Sequence, residues 1–187
     1  MGTKSTVLAI DLGAESGRVV AAQLHGSQVT LDVAHRFPNR PVQVRQTLHW
    51  DLLRLWSEIQ DGIRACADRK PASIGVDTWG VDFGLLDPQG HLLGNPVHYR
   101  DARTDGMLQK AFDRVPRPEI FQATGIQFLP INSLIQLVSM VESDHPALRN
   151  AATFLTIPDL LNYWLTGEKA CEFTNATTTQ CYDPRRA

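Results

Sequence analysis

The sequence predicts an α/β fold: a three-stranded antiparallel meander, extended by parallel strands and flanked by helices. Three observations carry this. Three runs with strand character, about Ser5–Asp11, Arg18–Leu24 and Gln28–Phe37, come first and are joined by short turns. A stretch of helical periodicity follows. A compact apolar run, Ala72–Asp77, then comes after only a short connection. A long helix between two strands in one sheet implies a parallel crossover.

The first two strands meet at Asp11-Leu12-Gly13-Ala14-Glu15-Ser16-Gly17-Arg18. This octet reads as strand, glycine turn, strand, with a carboxylate and two glycines at a hairpin tip. Glycine lets backbone N–H groups approach an anion, and such donors can cradle phosphate oxygens. A neighbouring carboxylate can hold Mg²⁺, usually through water. The octet is therefore either a nucleotide-phosphate hairpin or an ordinary turn. It is not the strand–loop–helix phosphate motif, whose lysine-bearing signature is absent from the sequence.

His25-Gly26-Ser27 joins the second strand to the third, and a looser stretch, Pro38–Thr47, follows. Asp51 caps the predicted helix, whose apolar stripe is Leu52, Trp56, Ile59, Ile63 and Cys66. That stripe reads as core packing against one face of the sheet. The run to Asp77 reads as a buried strand. Strand–strand–strand–helix–strand is the opening of a ribonuclease H-like or actin-like ATPase domain.

Val81–Leu86 and His91–Tyr99 are expected to pair across the turn Asp87-Pro88-Gln89-Gly90. Helices are expected near Thr104–Arg114, Pro116–Ala123, Ser133–Val141 and Pro158–Leu165, with a short strand at Ala152–Thr156.

The chain has 187 residues, 43% hydrophobic and 20% charged, with a net charge of −2. No basic block points to nucleic acid or to an anionic membrane surface, and no apolar stretch reaches membrane-spanning length. Three widely spaced cysteines, Cys66, Cys171 and Cys181, read as reduced thiols of a cytoplasmic protein.

Four further segments offer ligand chemistry. Asp77-Thr78-Trp79-Gly80-Val81-Asp82-Phe83 begins where a strand ends, the place where ligands gather in open α/β sheets. Trp79 offers a flat face to a sugar, Gly80 exposes backbone, and Asp77 and Asp82 can accept hydroxyl hydrogens; the alternative is a core tryptophan beside a turn-capping Asp82. His98–Thr104 is either a loop ordered by Arg–carboxylate pairing or a solvated, salt-bridged turn. In Thr124–Ser133, Gln127 can bind a polyol, and Asn132 or Ser133 can equally be a helix cap. Thr174–Thr179 is either a turn or a polar wall.

In this order, the segments resemble the FGGY family of carbohydrate kinases over nearly the whole chain. The series runs from the Asp11–Arg18 hairpin through Ser73–Phe83, Tyr99–Thr104 and Gly125–Pro130 to Leu165–Gly167 and Thr174–Thr177. Within the family, the similarity is greatest to members acting on L-rhamnulose. The resemblance implies an actin-like ATPase fold with ATP and Mg²⁺ in a cleft and the sugar deeper. It assigns Gly13, Ala14, Glu15, Ser16, Gly17 and Arg18 to the ATP phosphates and Asp11 to Mg²⁺. It gives the sugar to Gly80, with Trp79, Asp82 and Gln127 as further contacts. The reaction implied moves the γ-phosphate of ATP to the C1 hydroxyl of L-rhamnulose. Other family kinases, acting on xylulose, ribulose, fuculose or glycerol, are the alternative, as is a non-catalytic actin-like module that binds nucleotide or a partner.

Two departures from the family stand out. Glu15 puts a carboxylate in the phosphate hairpin, so it is expected to point outward or to pair with Arg18. The family's catalytic aspartate, in a His-Asp-Thr or Gly-Asp-x context, has no counterpart here. Residues 1–187 are thus expected to form an incomplete N-terminal kinase domain, lacking the C-terminal domain and inactive alone.

Overall fold

A computed structural model describes residues 5–186. The chain forms two compact units. One holds the residues up to Arg40 together with Asp51–Trp79, and the other holds Pro41–Trp50 with Gly80 onward.

The first unit opens with β1 (Ser5–Leu12), β2 (Ser16–His25) and β3 (Gln28–Pro38). β1 and β2 are antiparallel, in register from Ser5↔Leu24 to Leu12↔Gly17. β2 and β3 are antiparallel too, with a bulge at Val19/Val20. The chain then visits the second unit as β4 (Val42–Val44) and β5 (Thr47–His49), and returns as α1 (Leu52–Arg64). β6 (Ser73–Asp77) runs parallel to β1, from Val7↔Ser73 to Asp11↔Asp77. The strand order is β3-β2-β1-β6, the expected meander plus a parallel crossover strand.

Alternation along β1 buries Leu8, Ile10 and Leu12 on one face. α1 belongs to the same core. The Asp51 Oδ1 accepts from the Arg54 N–H at 3.3 Å, so the predicted cap is present. Its buried residues are Leu52, Leu55, Ile59 and Gly62; Trp56 and Ile63 flank this stripe. Leu55 and Gly62, omitted from the sequence stripe, lie nearer its centre because 3.6-residue periodicity places i+3 and i+7 on the same face. A Cβ on Gly62 would stand 2.7 Å from the Val19 Cβ and 3.2 Å from the His35 Cβ, so the helix lies against the sheet at its glycine. Cys66 packs with Leu8 and Ala21 as a small hydrophobe. β6 departs from expectation. It is the last strand of its sheet, and Ser73, Ile74, Gly75 and Asp77 are exposed rather than buried.

In the second unit, β4 and β5 form a hairpin where the sequence reading has a loose stretch. β7 (Phe83–Leu86) does not pair with His91–Tyr99 as expected. Its partner is β8 (Thr153–Thr156), antiparallel from Phe83↔Thr156 to Leu86↔Thr153, and only one bridge, Leu86↔Leu92, joins it to the nearer segment. The Asp87–Gly90 turn itself forms, with Asp87 Oδ1 accepting from the Gln89 and His91 N–H groups at 2.9 Å.

The helices are α2 (Met107–Arg114), α3 (Arg117–Thr124), α4 (Ser133–Glu142), α5 (Pro146–Asn150), α6 (Ile157–Thr166) and α7 (Phe173–Thr178). A 3₁₀ turn at Ala102–Thr104 replaces the start of the first predicted helix. Thr174–Thr179, read as a turn or polar wall, is mostly the helix α7, capped by Glu172 accepting from the Thr174 and Asn175 N–H groups. Phe83, Leu85 and Met140 form a core cluster with Leu137, Leu148 and Phe154 around it.

Candidate functional site: a glycine hairpin and a strained turn

The first unit carries the glycine hairpin. Its tip is closed by the Gly13 N–H donating to the Ser16 carbonyl at 2.9 Å. Asn39, just after β3, braces it from beside. Its Nδ2 donates to the Gly13 carbonyl at 2.8 Å, and its N–H donates to the Glu15 carbonyl at 2.9 Å. Gly17 packs directly beneath two buried side chains, since a Cβ there would overlap the Phe37 ring and stand 2.7 Å from Leu12 Cδ2. Glu15 is exposed and points outward, one of its two expected arrangements.

Arg18 pairs with Asp11, not with Glu15. Its Nε and Nη2 lie 2.7 Å and 2.6 Å from Asp11 Oδ2. The register explains this pair, because Asp11 sits opposite Arg18 on β2 and beside Asp77 on β6. Directly paired residues of neighbouring strands project to the same face. Arg18, Asp11 and Asp77 thus form a charged row at one end of the sheet.

The second unit carries the Gly80-Val81-Asp82 segment. The Asp82 N–H donates to the Gly80 carbonyl at 3.0 Å, and Val81 between them has φ 68°. An i→i+2 bond around a positive φ is a γ-turn of the rare, strained form. Asp82 is wholly buried beneath it. Its Oδ2 accepts from Trp50 Nε1 at 2.5 Å and from the Tyr99 N–H at 3.2 Å, and its Oδ1 accepts from Gln136 Nε2 at 2.9 Å. Asp82 therefore supports the turn from below. Gly80 faces α7, where an added Cβ would meet Thr178 Oγ1 at 3.2 Å.

Trp50 is fully buried and stacked on His98, with ring centroids 4.0 Å apart. Burial first, then the nearby Arg100 charge, lowers the His98 pKa to about 4. His98 is thus neutral, and its Nδ1 accepts from the Arg100 N–H at 3.0 Å. Asp101 is buried, so Tyr99–Thr104 is not a solvated turn. Its carboxylate takes the Leu48 N–H at 2.7 Å and the Arg103 N–H at 3.0 Å, ordering the loop through backbone donors. Arg103 Nη2 instead donates to Gln136 Oε1 at 2.6 Å, and burial lowers its pKa.

Trp79 is half-buried, immediately before Gly80. Gln127 is exposed, and with Arg117, Phe121 and Phe128 it lines a surface hollow. Asn132 stands at the head of α4 but does not cap it through its side chain. Its Nδ2 donates to the Gln127 carbonyl at 2.8 Å and to Gln180 Oε1 at 2.9 Å, tying two loops together.

Sequence reasoning missed Asn39, Trp50 and Gln136, and named His98 only within the His98–Thr104 cluster. The readable signal was clearest for Gln136, a lone amide amid the apolar run Leu134–Met140. Among the described residues no cluster of three or more metal-ligating side chains occurs.

An antiparallel meander with a parallel fourth strand, and a glycine hairpin beside an aspartate at the strand ends, defines an actin-like ATPase fold of the sugar-kinase type. The gluconate kinase structure from Lactobacillus acidophilus superposes with a TM-score of 0.81 at 18% identity, over 95% of this chain and 36% of that one. Residues 6–186 match the FGGY family of carbohydrate kinases, N-terminal domain, and the chain belongs to that family. A rhamnulokinase from Oceanobacillus iheyensis is 43% identical over 175 residues, covering 92% of this chain and 37% of the relative. One from Pectobacterium carotovorum is 44% identical over 178 residues, covering 93% and 36%. The chain thus spans little more than a third of the length of these curated relatives. No described helix is long and apolar enough to cross a membrane.

Proposed function

We propose that this chain is the N-terminal domain of an ATP-dependent kinase that transfers the γ-phosphate to the C1 hydroxyl of L-rhamnulose. The observation that carries the phosphoryl-transfer reading is the hairpin. Gly17 packs under Phe37, Asn39 braces the tip, and the Arg18–Asp11–Asp77 row lies at its base. Identity above 40% to proteins named rhamnulokinase, across nearly the whole chain, supports the sugar.

Phosphoryl transfer needs positioning and charge neutralisation more than covalent help. Main-chain N–H groups at the Ala14–Ser16 tip would receive phosphate oxygens, the Gly13 N–H being taken by the Ser16 carbonyl, and Arg18 would add positive charge. Asp11 and Asp77 fit a hydrated Mg²⁺. They are two carboxylates at one register, and the Asp11 side chain is 40% exposed. Bound there, the ion would neutralise charge on the transferring phosphate. Arg18 holds the Asp11 carboxylate in place, and its remaining N–H groups would meet phosphate oxygens. Gly80 would present backbone to the sugar, Trp79 a ring face and Gln127 an amide, with Asp82 supporting Gly80 from beneath. The general base and the adenine-binding half belong, by this reading, to the part of the relatives that this chain does not span. The 187 residues alone are expected to show negligible turnover.

The test joins this chain to the remainder of the O. iheyensis relative and measures ADP release with L-rhamnulose, D-xylulose, L-ribulose, L-fuculose and glycerol. The expected result is turnover with magnesium and a preference for L-rhamnulose. Preference for another acceptor would overturn the sugar assignment, and no turnover with any acceptor would overturn the kinase reading.

A further inference from the structure

We infer that Ser133 and Gln136, on α4, are positioning residues that hold the Gly80–Asp82 turn in a conformation its own sequence resists. Val81 is the strained residue of this turn. A β-branched residue at φ 68° is a genuine backbone outlier, and the γ-turn around it is strained. Such a conformation persists only where its surroundings over-determine it.

Here they do. The Val81 carbonyl accepts from Ser133 Oγ at 2.5 Å and lies 3.2 Å from Gln136 Nε2, whose two protons it shares with Asp82 Oδ1 and the Ile131 carbonyl. The next residue's carboxylate is fixed by Trp50, Tyr99 and again Gln136. Gln136 is 1% exposed. Its Nε2 also faces the Ile131 carbonyl at 2.9 Å, while its Oε1 accepts from Arg103. One buried amide therefore joins the Val81–Asp82 turn, the start of α4 and the Tyr99–Thr104 loop. Were Val81 to relax to negative φ, its carbonyl would swing away from both α4 donors and strand buried polar groups.

The identity of the strained residue matters as well. Glycine would adopt this φ without strain, but it would also sample many others. Valine, once clamped, has few alternatives. The clamp and the β-branched side chain together fix the backbone of Gly80, the preceding residue. The functional sense of this device rests on the reading that Gly80 meets the sugar.

The experiment uses the ¹⁵N-labelled 187-residue chain. Hydrogen exchange of the Asp82 amide, the donor of the γ-turn bond, reports the clamp. The Gly80 amide resonance on addition of L-rhamnulose reports its use. Ser133→Ala is expected to speed Asp82 exchange by about tenfold or more, to leave the amides of β1–β3 unchanged and to abolish the Gly80 response. Ser133→Thr, which keeps the hydroxyl, restores both. Val81→Gly is expected to raise the melting temperature and to weaken the Gly80 response. In that background Ser133→Ala should cost less stability than in the parent, since the clamp then opposes no strain.

Asp82 exchange in Ser133→Ala within about twofold of the parent overturns the inference, as does a lower melting temperature for Val81→Gly. If Ser133→Ala does not fold, Val81→Gly decides by its melting temperature. A parent whose Gly80 ignores the sugar, while Asp82 exchange responds as expected, refutes the sugar role of Gly80 and upholds the clamp.

Discussion

Replacing Trp50 by Phe tests how strongly the second unit depends on the contact beneath Gly80. Phe retains a ring to stack on His98 and leaves the backbone bond from the Trp50 N–H to the Pro96 carbonyl. It removes the indole N–H that meets Asp82 Oδ2 at 2.5 Å, and it opens a small void at a fully buried position. A hydrogen bond to a charged group contributes about 1.5–3 kcal/mol. The missing ring atoms add on the order of 1 kcal/mol. Asp82 Oδ2 keeps the Tyr99 N–H at 3.2 Å, so the carboxylate is not stranded and the lower half of the range applies to the bond. The expected loss is about 3 kcal/mol, or a fall of roughly 6–12 °C in the melting midpoint of a chain this size. Urea denaturation followed by circular dichroism measures it, with Asp82→Asn and the double variant closing a mutant cycle. A loss below about 1 kcal/mol, or strict additivity in the cycle, would refute the view that this bond carries the turn.

Three further outcomes are expected. Gly62→Ala sets a helix-propensity gain of about 1 kcal/mol against overpacking of about 1–3 kcal/mol. The obstacle includes the Cβ of fully buried Val19, which cannot rotate away, so urea denaturation should show net destabilisation. Acid should weaken the fold through His98. Its pKa falls from 6.5 to about 4 on folding, so the unfolded chain binds more protons in that window. Stability from this source is complete above pH 6.5 and drains away as the pH drops toward 4. His145, also lowered by burial, adds to the same limb. His98→Gln should flatten the slope of stability against pH between those values. Asp11→Asn removes an exposed ion pair worth under about 1 kcal/mol, so melting should barely change. Magnesium-dependent turnover of the joined kinase should nevertheless fall by about a hundredfold, the scale of losing a preorganised electrostatic contact.

What could be read from the sequence was local. The meander was legible because its strands are joined by short glycine-bearing turns. α1 was legible because Asp51 caps a long amphipathic repeat. The β4–β5 hairpin was hidden because its turn lacks glycine and places Arg45 at φ 53°, where arginine gives no turn signal. The partner of β7 was hidden for a different reason. Asp87–Gly90 looks like a hairpin turn and is a turn, yet the strand it seems to supply lies some seventy residues further on, at Thr153–Thr156. Neighbouring residues do not encode so distant a pairing. The same limit applies to the site. Gly13, Gly17 and Gly80 announced themselves as backbone exceptions, whereas Trp50, Gln136 and Asn39 act on residues far along the chain and look ordinary in place.

The outermost strand of the meander carries one more consequence. β3 is eleven residues long and is paired only with β2, and Val29, Leu31 and Val33 stand 59%, 70% and 47% exposed along it. A long ribbon of unshared amides and carbonyls with greasy side chains is a ready template for a second molecule. At high concentration, copies of this chain would dock along this edge and self-associate. Any stock kept concentrated would age fastest from the Val29–Val33 stretch of this rim, toward the opposite end of β3 from Asn39 and the glycine hairpin.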